Sequence, residues 1–346
     1  MKKVLALVFV IVVTIALYFS PVKIMVLNWK YPSYIDLIQK GYTSNEIKDF
    51  HESLSDEEYL LLVSSDYASD IKKQVSNEKY RVLKEKRYTE SEADEILSLS
   101  DELIQFYLTH DNLNHQYDLI HHDYFVLDRY DRYNAYSISN PNLDSETVLR
   151  TVNTDRDYEL YTHIQMADTS NPIEILVNKY YQLSSDYVPD LAETYLGFMM
   201  QKEAAQALTD MIKVMLDLNL DISISNSYRP YVMQERIYNS YLETQSRAVV
   251  DTYSARPGHS EHQAGLAVDF KTQATGITDF GGSEAYTWLK ENAHIYGFIQ
   301  RYTEENSIYT GYMAEEWHFR YVGLDLAQIV YETKLTLEEV LVLYRK

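Results

Sequence analysis

The sequence contains no cysteine, which excludes disulfides, thiolate nucleophiles and cysteine-ligated zinc. His, Asp and Glu remain as the strong metal ligands available. Positive charge is also scarce: 31 Lys and Arg stand against 52 Asp and Glu, a formal net charge of −21 over 346 residues. A chain this acidic, with no evident basic face, is a poor nucleic-acid binder, because neutralising phosphates needs concentrated Lys and Arg. A signal-cleavage site is missing as well. The apolar run VLALVFVIVVTIALYF, Val4 to Phe19, follows Met1-Lys2-Lys3, but Tyr18 to Pro21 offer no Ala-x-Ala-like pair. The run therefore reads as an uncleaved anchor, lengthened by Val22 to Trp29, with the flanking lysines inside the cell. Residues 1–29 are expected to be a cytoplasmic start and transmembrane anchor, which makes a single-pass protein of the cell membrane with the rest outside the cytoplasm.

What is present beyond the anchor begins with an internal repeat. Tyr34 to Glu46 matches Tyr80 to Glu92, and each copy continues as an amphipathic helix. Thr43 with Glu46, and Thr89 with Glu92, read as capping boxes. Residues 30–150 are expected to be helical repeats, packing elements without chemistry, and 151–172 a connecting segment. His121-His122-Asp123 reads as surface, because adjacent side chains point to different faces.

Residues 173–346 have the texture of an α+β domain: a small, mainly antiparallel sheet flanked by helices. Leu191 to Met215 carries apolar residues at helical steps and reads as one long helix. Short strands are expected at Asp221 to Ser225, Ala264 to Phe270, Gly297 to Tyr302 and Trp317 to Val322, with a last helix opened by Thr336 and Glu339.

Three segments of this domain supply what one catalytic zinc needs. His262 and Asp269 lie seven apart in SEHQAGLAVDF, with Gly265 between them, and His318 comes from AEEWHFRYVG. Three N and O ligands leave a fourth position open, which marks a catalytic rather than a structural site. Glu315 or Glu316 could act as general base, and period alone does not choose between them. Arg229, in Ser227-Tyr-Arg-Pro230, suits a carboxylate or a developing oxyanion, and Gln234 could assist. His259 reads as an exposed loop residue, and His294 as a helix-end imidazole with no catalytic role.

Over about 173 to 346 the chain resembles the VanY-type zinc D-alanyl-D-alanine carboxypeptidases, which include L,D-carboxypeptidases that trim cell-wall tetrapeptides. SYRP at Ser227 to Pro230, YSARPGHSEHQAGLAVDF at Tyr253 to Phe270 and TGYMAEEWHFRYVG at Thr310 to Gly323 carry the resemblance. It implies that His262, Asp269 and His318 hold zinc, that Glu315 is the general base, and that Arg229, Gln234 and Ser260 contact the substrate peptide. Where the family commonly has Pro this chain has Glu316, so an extra carboxylate is expected near the metal. The expected activity is removal of the terminal D-alanine from peptidoglycan stem peptides (D,D- or L,D-) outside the cell. The alternatives are an endopeptidase using the same zinc chemistry and a non-catalytic wall-binding protein.

Overall fold

The computed structural model describes Leu37, Ile47, residues 78–277 and residues 279–344. The expected anchor lies outside the described residues, as does the first copy of the repeat apart from Leu37. No helix among those described is long and apolar enough to cross a membrane.

The chain divides into two compact units after Tyr117. In the first, helices α1 (Glu78–Glu85), α2 (Glu90–Ile96) and α3 (Asp101–Thr109) bury Tyr80, Leu83, Ala93, Ile96, Ile104 and Tyr107. The capping box of the second repeat copy is present: Glu92 N donates to Thr89 Oγ1 at 3.3 Å and Thr89 N to Glu92 Oε2 at 2.7 Å.

The second unit runs from Asp118, so residues 118–172 lie in the same compact unit as the catalytic motifs. Helices α4 (Tyr130–Ser139) and α5 (Ser145–Asn153) open it, and α5 buries Val148, Leu149 and Val152. Arg150 on α5 reaches Glu339 with Nε 2.6 Å from Oε1 and Nη2 3.3 Å from Oε2. That partner is 189 residues away, and no local pattern reveals such a pairing.

A short parallel pair, β1 (Gln165–Met166) and β2 (Tyr181–Gln182), precedes an antiparallel hairpin of β3 (Leu191–Glu193) and β4 (Met199–Gln201). This hairpin corrects the long helix expected from Leu191. Gly197 takes φ +79° in the turn, where a helix cannot continue, and Gln201 caps the real helix α6 (Lys202–Asp217) by accepting from Glu203 N and Ala204 N. The apolar spacing on the two sides of that turn imitated a helical period.

The main sheet has the order β5-β6-β8-β7, antiparallel throughout: β5 (Ser223–Asn226), β6 (Ala267–Lys271), β7 (Phe298–Tyr302) and β8 (Glu315–Tyr321). Between β5 and β6 runs α7 (Tyr231–Leu242), and between β6 and β7 runs α8 (Glu284–Asn292), capped by Ser283. Helices α9 (Leu324–Thr333) and α10 (Leu337–Tyr344) close the chain, α10 opening on the expected Thr336 and Glu339 capping box. Alternation along the strands sorts the two faces. Ile224, Val268, Phe270, Phe298, Phe319 and Tyr321 face the core with Leu208, Met211, Ile212 and Met215 of α6. Asp269 and His318 face the other way.

Candidate active site

Asp269 of β6 and His318 of β8 are register partners across the ladder, and Asn226 of β5 pairs with Asp269 on its other side. The sheet thus sets Asp269 and His318 side by side, with His318 Nδ1 3.0 Å from Asp269 Oδ1. His262 comes from the loop before β6, where Gln263 N, Ala264 N and Gly265 N each bond back three residues and fold the chain tightly. Gly265 takes φ +70°, and a Cβ there would lie 2.9 Å from Pro189 Cγ and 3.0 Å from Gln201 N. Only glycine fits that turn. His262 Nδ1 is 2.7 Å from the Ser227 carbonyl, which can only accept, so Nε2 is left facing Asp269 Oδ2 at 3.2 Å.

One ligand atom from each of His262, Asp269 and His318 lies within 4.8 Å of the others. The donor set fits one zinc by its chemistry: two imidazoles and a carboxylate, with the far nitrogen of each ring already held. For His318 that holder is Glu261, whose Oε2 is 3.1 Å from Nε2. Burial works against a charge on His318, but Asp269 and Glu261 outweigh it and lift its pKa to about 10.

Glu315 Oε2 lies 3.7 Å from His318 Nδ1. In a regular strand residues three apart face opposite sides. Here the ladder steps from Gln300 paired with Phe319 to Tyr302 paired with Glu315, so β8 carries extra residues as a bulge that turns Glu315 into the site. Burial raises the Glu315 pKa to about 7, with His318 opposing and Asp269 adding to the rise. A base near neutrality is suited to proton transfer. Glu316 does not line the cavity that holds His262, Asp269 and His318, contrary to the expected extra carboxylate there. It lies against Gly281, where a Cβ would meet Glu316 Cγ at 2.9 Å, and it lines a separate cleft with Tyr286, Phe298 and Phe319. The bulge that admits Glu315 sends its neighbour to the other face.

Arg229, Gln234 and Ser260 line the same cavity of about 390 Å³ as the ligands and Glu315. Arg229 Nη2 is 3.5 Å from Ser260 Oγ, its Nε has no partner, and burial lowers its pKa against the pull of Asp269 and Glu315. Gln234 spends its amide on the Ala255 carbonyl at 2.6 Å, which braces the ligand loop, and leaves Oε1 unpartnered. His259 is buried, not exposed: Nδ1 donates to Asn178 O at 2.7 Å and the ring meets Tyr161 edge-on. His294 stacks on Tyr331 and lies away from this cavity.

Sequence reasoning missed Glu261 and the tyrosine wall. Tyr302 packs 5.1 Å from the His318 ring and 4.8 Å from Tyr312, and both line the cavity. Glu261 had a readable signal in Arg301 and Arg320: an Arg inside a strand as apolar as Phe-Arg-Tyr-Val needs a buried acid if it is itself buried.

A family model described as VanY, D-alanyl-D-alanine carboxypeptidase, matches residues 197–324. The putative carboxypeptidase YodJ of Bacillus subtilis (strain 168) is 35% identical over 184 residues, 49% of this chain and 67% of that protein. The bifunctional D-Ala-D-Ala dipeptidase and D-Ala-D-Ala carboxypeptidase VanXYC of Enterococcus gallinarum is 35% identical over 145 residues, 40% of this chain and 76% of its own. Among solved structures, a mutant D,D-pentapeptidase VanY in complex with Zn(II) shares 30% identity with a TM-score of 0.45, covering 49% of this chain and 99% of that one. With relatives covered to that extent, and with the matched region spanning the ligand loop and β8, the chain belongs to the VanY family of D-alanyl-D-alanine carboxypeptidases.

Proposed function

We propose that this chain is a zinc-dependent carboxypeptidase that removes the terminal D-alanine from peptidoglycan stem peptides, working outside the cell from a membrane anchor. The observation that carries the reading is Arg229: a largely desolvated guanidinium with an unpartnered Nε, in the same cavity as a His, Asp and His group and a near-neutral carboxyl. A half-buried cation with an unpartnered nitrogen beside such a group is a receptor for an anion, and the end of a peptide is a carboxylate. An endopeptidase has no free carboxylate at the bond it cuts.

His262 through Nε2, Asp269, and His318 through Nδ1 would hold the ion. Bound there, zinc supplies Lewis-acid polarisation of the scissile carbonyl and a lowered pKa for water. Arg229 binds the terminal carboxylate and Ser260 orients the guanidinium. Glu315 takes a proton from the attacking water and delivers it to the departing D-alanine amine, which a carboxyl near neutrality does in both directions. Tyr302 and Tyr312 keep water from one side of the ligands.

Incubating the full chain with purified pentapeptide, tetrapeptide and cross-linked muropeptides, followed by mass spectrometry, tests this. Loss of a single alanine from pentapeptide identifies D,D activity, and the same loss from tetrapeptide identifies L,D activity. Cleavage confined to cross-linked dimers would replace the reading with the endopeptidase. Binding without cleavage by metal-loaded protein would replace it with the wall-binding module.

A further inference from the structure

A run of buried charges extends from His318, and beyond Glu261 it leaves the cavity and plays no part in the chemistry above. Glu261 is its first member, 2% exposed. While its Oε2 meets His318 Nε2, its Oε1 accepts from Arg301 Nε at 2.9 Å and Arg320 Nη1 at 3.1 Å. Arg301 Nη2 in turn donates to Glu338 Oε1 at 2.6 Å, and that same oxygen accepts from Asn178 Nδ2 at 3.0 Å. Arg320 ends on the backbone carbonyls of Ile173 and Ile175. Arg301, Arg320 and Glu338 are 1%, 0% and 3% exposed.

Two guanidiniums and two carboxylates at this depth are an expensive way to fill space, since apolar residues of similar volume commonly do as well or better. Their placement has a specific consequence for the site. His318 can offer Nδ1 to a metal only if its proton sits on Nε2, and the Glu261 carboxylate demands that proton. Glu261 is itself fixed because two guanidiniums clamp its other oxygen. Arg301 is fixed because Glu338 holds the far end of its fork. Glu338 stands on α10, beyond the residues 197–324 that the family model matches.

We propose that Glu338 is a positioning residue for the metal centre, acting through Arg301 and Glu261 to set the tautomer and orientation of His318. The inference rests on the reading of His318 as a metal ligand. Removing the charge of Glu338 leaves Arg301 to draw on Glu261 alone, which weakens the hold of Glu261 on the imidazole N–H and with it the donor strength of Nδ1.

The test measures metal affinity of the full chain by competition with a chelator, together with the visible absorption of the cobalt(II)-substituted protein, which reports ligand geometry. Glu338→Gln keeps an acceptor for Arg301 and should bind metal about 10-fold more weakly, with shifted cobalt bands; Glu261→Gln should lose about 10- to 100-fold. The double variant should be no weaker than Glu261→Gln, because Glu338 works only through Glu261. Glu339→Gln, on the same helix, removes the charge that pairs with Arg150 while keeping an acceptor for the Thr336 cap, so it should lower thermal stability while leaving affinity and spectrum unchanged. Arg301→Lys, which loses the fork, is the second route and should act in the direction of Glu338→Gln. Wild-type affinity and bands in folded Glu338→Gln or Arg301→Lys, additive losses in the double variant, or an equal loss in Glu339→Gln would overturn the proposal. A wild-type chain that binds no metal at all would overturn this and the zinc reading together, whereas normal binding with an inert Glu338 overturns this one only.

Discussion

Glu315 and Glu316 are adjacent and chemically identical, and their roles are decided by which face of β8 each occupies. Glu315→Gln should retain metal and substrate yet lose about 10²- to 10⁴-fold in kcat, the usual contribution of a positioned base. Glu316→Gln, altering the other cleft, should leave kcat within the error of wild type. The pH profile belongs to the same comparison. Burial raises Glu315 from 4.5 to about 7, and an adjacent divalent ion favours the ionised form, so the acid limb is expected in the interval below about 7. The base works only when ionised, so kcat/KM should decline as pH drops through that interval, and Glu316→Gln should not move the limb. An acid limb that persists unchanged in the residual activity of Glu315→Gln, or one that shifts in Glu316→Gln, would remove Glu315 from the role. Residue chemistry at this site was legible: His262, Asp269, His318 and Arg229 were found from type and spacing and stand in one cavity. Glu316 was misplaced because a bulge is written in ladder register, not in the residues that form it.

Among the elements, the ligand loop shows most directly how backbone shape sets geometry. Gly265 needs positive φ and closes against Pro189 and Gln201, whereas Gly276 at φ +76° has open space around it and Gly282 has neither constraint. Gly265→Ala should therefore cost at least about 2 kcal/mol, the left-handed penalty of about 1 to 2 kcal/mol plus the collision. For a unit of this size that is a fall of about 4 to 8 °C in Tm. Gly276→Ala should cost only the backbone part, and Gly282→Ala close to nothing. Thermal melts that rank the three otherwise would show that this turn does not constrain the loop. The main-sheet strands and the final capping box were readable because their period and caps are local. The β3–β4 hairpin was not, since one glycine in a turn reversed a chain whose apolar spacing fitted a helix.

At the scale of the molecule, a metal that binds only the folded second unit should stabilise it by mass action. With free zinc about 1,000-fold above Kd the gain is about 4 kcal/mol. That corresponds to about 8 to 16 °C in the Tm of a unit of this size, lost on adding chelator. Calorimetry with and without chelator checks this, and an unchanged melt in zinc-saturated protein would rule out a preformed site. The proposed anchoring has its own check in cell fractionation. The protein should sediment with membranes and keep Met1 or Lys2 at its N-terminus, whereas a start beyond Phe19 in the medium would show a cleaved signal. By itself the sequence pointed to His262, Asp269 and His318 as one group, to the family and to the main-sheet strands and final capping box, because residue type, spacing and caps act within a few positions of chain. Tertiary structure alone decided that residues 118–172 share one compact unit with the later motifs, that Arg150 meets Glu339, and that Glu261 links His318 to Arg301 and Glu338. Each of these joins groups far apart along the chain, and a buried charge finds its partner through the packing of the whole unit rather than through its neighbours in sequence.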